Sequence, residues 1–367
     1  MPVTIYDVAR RAGVGIGTVS RVLNNSPQIS PKTREKVLKV IKDLKYQPHA
    51  MAQGLARKRT NSLACIVPSF TGYFYLELIN GIQQALNRHG FDLILYSVVQ
   101  MEKETDVLKR TLRERKVDGV LLVSMPISED YVKKFTQSKF PIVLVDSFHE
   151  RVDSIAIENR EGAFIATRHL IDLGHTRIGM INGNLNSVPA KIRLDGFKSA
   201  LAENNIPFVH ERVITVLQTD NKELNHNHGF NKVAGYEAML QLLNLKENRP
   251  TAVFISSDIQ AAGAVKAVRE RGLQIPDDIA IVGFDGIELS EYLGLTTMKQ
   301  PMFEMGMLAV DRLIEKIQNP ESSEKIIKKL FHTQLIIRDT CGSVSTRKES
   351  SKGKKGEEPL PAPVFHS

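Results

Sequence analysis

The first 60 residues of the chain concentrate its basic side chains. They contain twelve lysines and arginines against three acidic residues, whereas the other 307 residues contain 37 basic and 38 acidic side chains. The formal net charge of +8 for all 367 residues therefore comes from the first sixth of the chain. A local excess of positive charge attracts a polyanion such as a nucleic acid. The alternative is a solvated basic surface that has no partner.

Residue types that support catalysis or metal binding do not form a recognisable set. The sequence has no Gly-x-x-x-x-Gly-Lys phosphate loop, no His-Glu-x-x-His motif, no nucleophile elbow and no Gly-x-Gly-x-x-Gly after a strand. His226 and His228 have a spacing that suits a metal, but without a third ligand an exposed loop over 218–231 is favoured. Cys65 and Cys341 are expected to be reduced and structural. We expect no enzyme activity, no cofactor and no metal.

The apolar residues indicate a cytoplasmic protein. No stretch approaches the roughly 18 apolar residues that a membrane span requires. The first twenty residues contain Asp7, Arg10 and Arg11 in place of the continuous apolar segment of a secretory signal. We therefore expect neither a membrane anchor nor export.

Three short helices are predicted in the basic segment, each with its own boundary signals. The first covers 5–12, because Thr4 is a suitable N-cap and Gly13 a suitable terminator. The second covers 17–23, and the third begins where a serine N-cap precedes Pro31. The short glycine-containing turn between the first two helices has the length that a helix-turn-helix requires.

After residue 60 the pattern alternates between strands and helices. Apolar runs that are typical of buried strands occur at 63–67, 93–99, 117–123, 141–145, 177–181, 252–255 and 279–283. Strands separated by helices predict right-handed βαβ units and parallel sheets. The predicted fold is an α/β core of two Rossmann-like lobes, with a ligand cleft at the carboxyl ends of the strands, preceded by an all-α helix-turn-helix head. The last residues, 342–367, are rich in Ser, Lys, Gly, Glu and Pro and are expected to be disordered.

Motifs in the first 56 residues carry a family resemblance. The segments are 3–9 (VTIYDVA), 12–14 (AGV), 18–24 (TVSRVLN), 46–48 (YQP) and 55–56 (LA). Together they closely resemble the lactose-repressor/galactose-repressor family of bacterial transcription regulators, and the resemblance extends from residue 2 to about 340. It implies a DNA-binding domain at 1–46, a hinge helix at 47–60 and a periplasmic-binding-protein-like core at 61–341 that binds an effector and forms a homodimer.

The second helix of a helix-turn-helix enters the major groove, so its outward side chains are expected to read DNA while Val19 and Val22 pack inward. With the positions that the resemblance adds, the predicted DNA-binding residues are Thr4, Tyr6, Ile16, Gly17, Thr18, Ser20, Arg21, Asn24, Leu55, Arg57 and Lys58. Gly15 stands where many relatives have a capping serine, and Gly17 has no side chain with which to read a base. Direct readout is therefore expected to depend on fewer groups, including an Ile16 contact with a thymine methyl. The resemblance implies that Leu55 wedges into the minor groove, and packing within the hinge is its alternative role.

The same resemblance places effector-binding residues around the cleft between the lobes. They are Tyr73, Phe74, Asp146, Arg193, Ser257 and Asp285. Carboxylates and a guanidinium at strand ends suit hydroxyl groups or a carboxylate. The alternatives are a strand-end cap for Asp146 and Asp285, and an ion pair between the lobes for Arg193. Asp258 is as readily explained as a helix cap.

The sequence therefore predicts a transcriptional repressor that binds double-stranded operator DNA and is controlled by a small molecule, expected to be a carbohydrate. The segments resemble the catabolite-control branch most closely, so control by a protein corepressor is an open alternative. A sugar-binding transport protein would share the core but would lack the basic head. The identity of the effector and the operator sequence do not follow from the residues.

Overall fold

A computed structural model describes residues 3–23, 26–46, 59–69, 72–98, 104–114, 116–216, 221–320 and 325–342. The chain divides into two compact units, Met1–Asn61 and Ser62–Ser367, which we call the head and the core. Of the predicted hinge helix and tail, only 59, 60 and 342 belong to the described residues.

Three helices form the described part of the head: α1 (Ile5–Ala12), α2 (Ile16–Leu23) and α3 (Pro31–Asp43). The backbone N–H of Thr4 donates to the Asp7 carboxylate at 3.0 Å, and Gly13 ends α1 with a φ of 61°. Small side chains fill the space between the helices; the buried ones are Val8, Ala9, Ala12, Val19, Val22 and Val37. The predicted helices are present, and α2 begins one residue before the predicted start.

The first lobe of the core is a six-stranded sheet covered by helices. Its strands are β1 (Ser62–Val67), β2 (Asp92–Ser97), β3 (Gly119–Val123), β4 (Ile142–Val145), β5 (Asp153–Ile157) and β11 (Lys328–Phe331). Their spatial order is β11-β5-β4-β3-β1-β2, and all neighbouring strands are parallel. The helices are α4 (Tyr73–His89), α5 (Glu104–Glu114), α6 (Glu129–Gln137) and α13 (Met302–Gln318).

The second lobe repeats this plan. Its strands are β6 (Ile178–Asn182), β7 (Val213–Thr215), β8 (Ala252–Ile255), β9 (Ala280–Asp285), β10 (Thr296–Lys299) and β12 (Gln334–Ile336), in the order β12-β10-β9-β8-β6-β7. Its helices are α7 (Asn159–Asp172), α8 (Val188–Glu203), α9 (Lys222–Asn225), α10 (Lys232–Leu243), α11 (Asp258–Glu270) and α12 (Glu288–Tyr292). The expected pair of Rossmann-like lobes is confirmed.

The chain passes between the lobes three times, at 157–159, 299–302 and 331–334. Both sheets direct the carboxyl ends of their strands toward the other lobe. The chain that leaves the first sheet at the carboxyl end of β11 therefore enters the second sheet at the edge where the other strands end. Its next strand, β12, must run opposite to those strands. This explains why β12 is antiparallel to β10 whereas the other described pairs are parallel.

Candidate DNA interface and ligand cleft

Helix α2 presents one face to solvent and buries the other. Val19 and Val22 are buried in the head, as expected, whereas Ile16 is 40% exposed and Arg21 is exposed. Thr18 and Ser20 lie half-buried beside them. The exposed face thus carries one apolar, one cationic and two hydroxyl side chains, a set suited to bases and phosphates.

Few side chains cover the start of α2, because residues 15 and 17 are glycines. The N–H groups of Thr18 and Val19 donate to the carbonyl of Gly15 at 2.9 and 3.2 Å, so the helix begins on this residue without a side-chain cap. A Cβ atom added at Gly17 would meet nothing within 4 Å. The surface at this point is bare backbone, and the number of side chains that read bases here stays a prediction.

The other predicted DNA residues divide into two groups. Thr4 is exposed and Tyr6 is 68% exposed at the start of α1. The Thr4 hydroxyl and N–H donate to Asp7, and these hydrogen bonds hold the pKa of the Asp7 carboxyl below its ordinary value. The remaining predicted positions lie outside the described residues; they are Asn24, Leu55, Arg57 and Lys58.

All six predicted effector residues meet in one cleft of the core. The carboxyl ends of β3, β4, β8 and β9 converge there, and the space, open to solvent, has a volume of about 570 Å³. The cleft is lined by Gly72, Tyr73, Phe74, Tyr75, Ser124, Asp146, Ser187, Pro189, Arg193, Asn227, His228, Phe230, Ser257, Ile259, Asp285 and Ile287. Its lining combines charged, hydroxyl and aromatic side chains, a mixture that suits a small organic ligand.

Arg193 is the central cation of the cleft. It projects from α8 and is 4% exposed. Its Nε donates to Asn159 Oδ1 at 2.7 Å, and its Nη1 donates to the carbonyl of Ser256 at 2.5 Å and lies 3.6 Å from Asp285 Oδ1. The guanidinium also stacks 3.9 Å from the centre of the Phe284 ring. The ion pair joins α8 to β9 within the second lobe, so it is not the interlobe pair considered from the sequence.

Asp146 follows β4 in the first lobe and is 5% exposed. Its Oδ2 accepts a hydrogen bond from Ser124 Oγ at 2.8 Å. Among the described residues, its buried Oδ1 makes no hydrogen bond of good geometry, although Asn159 lies close enough to lower the pKa of this carboxyl. Burial raises the pKa of this carboxyl, and Arg193 opposes that shift.

Asp285 is the last residue of β9 and forms the ion pair with Arg193. Its Oδ1 accepts from Gln300 Nε2 at 2.6 Å. Burial raises the pKa of Asp285 to about 7, and the charge of Arg193 opposes the increase. Near neutral pH, this carboxyl therefore has access to both protonation states.

Asp258 has a different role from the helix cap expected. The N-cap of α11 is Ser257, whose hydroxyl accepts from Gln260 N at 3.3 Å. The fully buried Asp258 carboxylate accepts from the N–H groups of Gly286 and Ile287 at 2.7 and 3.1 Å, and from the Thr297 hydroxyl at 2.6 Å. It thus positions the loop that follows Asp285, because it satisfies that loop's backbone donors. Burial and the nearby Asp285 charge raise its pKa.

Aromatic side chains form the apolar part of the cleft. Phe74 packs edge-on against Tyr75 with ring centroids 5.3 Å apart, and Tyr73 is 37% exposed at the opening. Phe230 lies 6.0 Å from the Arg193 guanidinium. Burial raises the pKa of Tyr75, so its hydroxyl remains protonated and is a hydrogen-bond donor.

The segment favoured as an exposed loop contributes directly to the cleft. Within its described part, 221–231, Asn227 and His228 line the cleft and Gly229 is buried. All three have positive φ, between 50° and 81°, which turns the chain inward, and the Gly229 carbonyl accepts from Gln260 at 2.9 Å. Sequence reasoning missed these residues because no periodic pattern marks such a turn. Ser124 was also missed, although it follows β3 just as Asp146 follows β4.

The described residues contain no group of three His, Cys, Asp or Glu side chains placed to hold a metal ion. Cys65 and Cys341 are buried and do not form a disulfide, and burial raises the pKa of Cys65 to about 12. None of the described helices combines the length and apolar character needed to cross a bilayer.

Comparison with known proteins places both units in one family. Residues 4–49 match the model of bacterial regulatory proteins of the lacI family, and residues 167–341 match that of periplasmic-binding-protein-like domains. Catabolite control protein A of Priestia megaterium is 36% identical over 338 residues, which cover 90% of this chain and 97% of that protein.

Solved structures agree with this placement. The lac repressor dimer bound to operator and an anti-inducer is similar at a TM-score of 0.79 and 30% identity, covering 93% of this chain and 99% of that one. The transcriptional regulator CelR in complex with cellobiose has a TM-score of 0.66 and 29% identity, covering 92% and 99%. The expected resemblance is confirmed, and the chain belongs to the lacI family of bacterial regulatory proteins.

Proposed function

We propose that this DNA-binding transcriptional regulator acts as a homodimeric repressor, and that a carbohydrate or carbohydrate derivative bound in the cleft controls its affinity for an operator. The observation that carries the proposal is the buried Asp146–Arg193–Asp285 cluster, which lies in a core that follows a separate basic head. We assign DNA binding to 1–46, a hinge to 47–60, and effector binding and dimerisation to 61–341.

The DNA-binding role is supported by the exposed face of α2. Ile16, Thr18, Ser20 and Arg21 share that face while the valines between them hold the helix to the head. We assign base contacts to this face and phosphate contacts to Thr4 and Tyr6. The similar lac repressor structure is a dimer bound to operator, which supports the same partner and assembly here.

Control by a small molecule is supported by the position of the cleft between the two lobes. A ligand shifts the balance between two lobe arrangements only if it binds them with unequal affinity. Asp146 lies in the first lobe whereas Arg193 and Asp285 lie in the second, so a ligand that bonds both sides favours one arrangement. The similar CelR structure contains cellobiose, which supports a sugar as the ligand class. We propose a cytoplasmic site of action and no catalysed reaction.

The DNA-binding part is tested by gel shift with duplex DNA from upstream of the chain's own gene. Arg21→Ala is expected to weaken binding by about tenfold or more, because a guanidinium bonded to a base or phosphate is lost. Lys133→Ala, which removes the same charge from an exposed position on α6, is the matched control. Equal affinity of the two variants for this DNA would refute the role assigned to α2.

A further inference from the structure

We propose that strand β11 binds an extended, acidic segment of a partner protein, which would add a strand to the six-stranded sheet of the first lobe. No residue of β11 lines the cleft. The inference therefore goes beyond the proposed function, because it assigns a second interaction surface to the core.

Strand β11 lies at one end of its sheet and is the most exposed of the four described edge strands. Three of its four residues are exposed, whereas β2, β7 and β12 are half-buried along most of their lengths. Among the described residues, no strand pairs with the outer side of β11. An edge of this kind is a template on which another strand can form hydrogen bonds.

The hydrogen bonds to β5 show which backbone groups of β11 face outward. The carbonyl of Ile327 accepts from the N–H of Ser154, and that of Phe331 accepts from the first N–H after β5, both at 2.9 Å. Consecutive residues of a strand direct their backbone groups to opposite sides, so Lys328 and Leu330 direct theirs away from β5. A partner segment that bonded to them would extend the sheet by β-augmentation.

One face of this edge is apolar and open. Leu330 is 51% exposed, and Phe148, in the loop after β4, is 57% exposed. The Lys328 ammonium lies 4.6 Å from the centre of the Phe148 ring and donates to the Val152 carbonyl at 2.6 Å. Since side chains two residues apart in a strand share a face, Leu330 lies on the same side as Phe148. Apolar side chains of an added strand would pack there.

The other face is basic. Lys329 is exposed on this side, with its ammonium 5.2 Å from the centre of the Phe331 ring, and the exposed Lys325 precedes the strand. Residues 325–334 include three lysines and no acidic side chain. Neither Lys325 nor Lys329 forms an ion pair within the described part of the chain. Both charges are therefore available to a partner.

The carboxylates near this face already have cationic partners. Three of them share a depression with Ile327, between β5 and α13. Their ion pairs are Asp153 with Arg312 and Lys316, Asp311 with Arg88, and Glu315 with Arg312. These carboxylates therefore do not cancel the charges of the two free lysines.

Charge decides between the possible occupants of the edge. A second copy of β11 would bring lysines together, and lysine on an edge strand opposes pairing of that kind. A segment that alternates acidic and apolar residues would place its carboxylates beside Lys329 and its apolar groups against Leu330 and Phe148. An acidic segment of a partner protein is therefore the occupant that fits both faces.

The test uses the full chain and two fluorescein-labelled peptides of nine residues. One peptide alternates glutamate with valine, and the other alternates lysine with valine. Fluorescence anisotropy is expected to show that the acidic peptide binds about tenfold or more tightly than the basic one. Equal binding of the two peptides, or no binding of the acidic one, would overturn the proposal.

The basic head also attracts an acidic peptide, so a variant must locate the site. Leu330→Pro removes an N–H that faces away from β5, so the pairing with β5 is kept while the outward donor is lost. Affinity for the acidic peptide is expected to fall by about fivefold or more. Leu330→Ala keeps the N–H and is the matched control for loss of the leucine side chain. An equal effect of the two substitutions would contradict strand addition.

A charge reversal tests the basic face separately. Lys329→Glu is expected to weaken binding of the acidic peptide by about threefold or more. Lys133→Glu, at an exposed position on α6, should leave it unchanged. Equal affinities of these two variants would overturn the assignment, and this comparison decides the proposal if Leu330→Pro does not fold. A changed oligomeric state of Leu330→Pro in sedimentation velocity would assign the edge to a second copy of the chain and would also overturn it.

Discussion

At the scale of single residues, the cleft depends on side chains held in unusual backbone conformations. Ser124 and Asp146 have a φ of 52°, and Asp285 has a φ of 124°. Each lies at or just beyond the carboxyl end of a strand, so the turn that follows directs its side chain into the cleft. Hydrogen bonds to neighbouring groups maintain these conformations, and Asp258 supplies two of them after Asp285.

Asp285 should make stability depend on pH in a direction opposite to that of most carboxylates. Because its pKa rises from 3.8 to about 7 on folding, the folded state keeps a proton that the unfolded chain loses between these values. Its contribution to the free energy of unfolding is therefore largest below about pH 4. It falls as the pH rises to about 7 and is constant above that. The loss is at most about 1.4 kcal/mol per pH unit.

The measurement is thermal unfolding from pH 4.5 to 8, followed by circular dichroism. Asp285→Asn has no proton to lose at this position, so the melting temperature of the variant relative to the unmodified chain should rise with pH. The same exchange at the exposed Asp130 controls for a general effect of asparagine. Parallel curves for the Asp285 variant and the unmodified chain would show that the carboxyl titrates normally in the folded state.

At the scale of elements, helices in the core pack closely where glycines face a neighbouring backbone. A Cβ atom at Gly235 of α10 would lie 2.0 Å from the carbonyl oxygen of Gln260, and one at Gly263 of α11 would lie 1.9 Å from that of Lys232. The pair α4 and α13 is similar, since a Cβ atom at Gly81 would lie 2.0 Å from the Phe303 oxygen. Because α11 begins beside Ser257, the spacing of α10 and α11 also affects the cleft.

Gly263→Ala should destabilise the core although alanine is the better helix former. The gain in helix propensity is about 1 kcal/mol, but the added carbon would overlap a backbone oxygen that has no flexible side chain to displace. A net loss of about 1–3 kcal/mol in the free energy of unfolding is expected from urea titration.

Gly17→Ala is the matched comparison for this substitution. An added Cβ atom there meets nothing within 4 Å, so this variant should stabilise α2 by about 0.5–1 kcal/mol. A Gly263 variant as stable as the unmodified chain would mean that α10 and α11 separate without cost.

At the scale of the whole molecule, charge and apolar packing divide between the two units. The head has its own small apolar core, and three further clusters of buried residues lie within the described part of the core unit. The excess positive charge belongs to the first 60 residues, and the rest is nearly neutral. We therefore propose that attraction to DNA belongs to the head and recognition of a ligand to the core.

Operator affinity should fall steeply with salt, since each neutralised phosphate contributes about −0.9 to the slope of log affinity against log salt concentration. We expect a slope of about −5 or steeper in a filter-binding titration of the full chain. A fragment that begins at Ser62 is expected to retain ligand binding and to lose operator binding. A slope near zero, or operator binding by the fragment, would contradict this division of roles.

Much of the head and the general plan of the core follow from local chemistry. Thr4, Gly13 and Pro31 mark helix boundaries because capping and backbone geometry act over three or four residues. Apolar runs that alternate with helices predict parallel sheets. Each strand of such a sheet is buried on both faces, so its own residues are apolar along most of its length. The six effector positions came from the family resemblance, and the structure brings all six to one cleft.

By itself, the sequence determined the charge of the head, the helix boundaries, the two-lobed plan and the family. Tertiary structure alone decided which distant residues meet: that Arg193 bonds Asn159 and Ser256, that Asp258 supports the loop after Asp285, and that Asn227 and His228 line the cleft. The physical reason is the separation along the chain over which each kind of interaction acts. Caps and periodicity act between neighbours in the chain, whereas the contacts of the cleft join residues that are far apart in the sequence and meet only in the folded core.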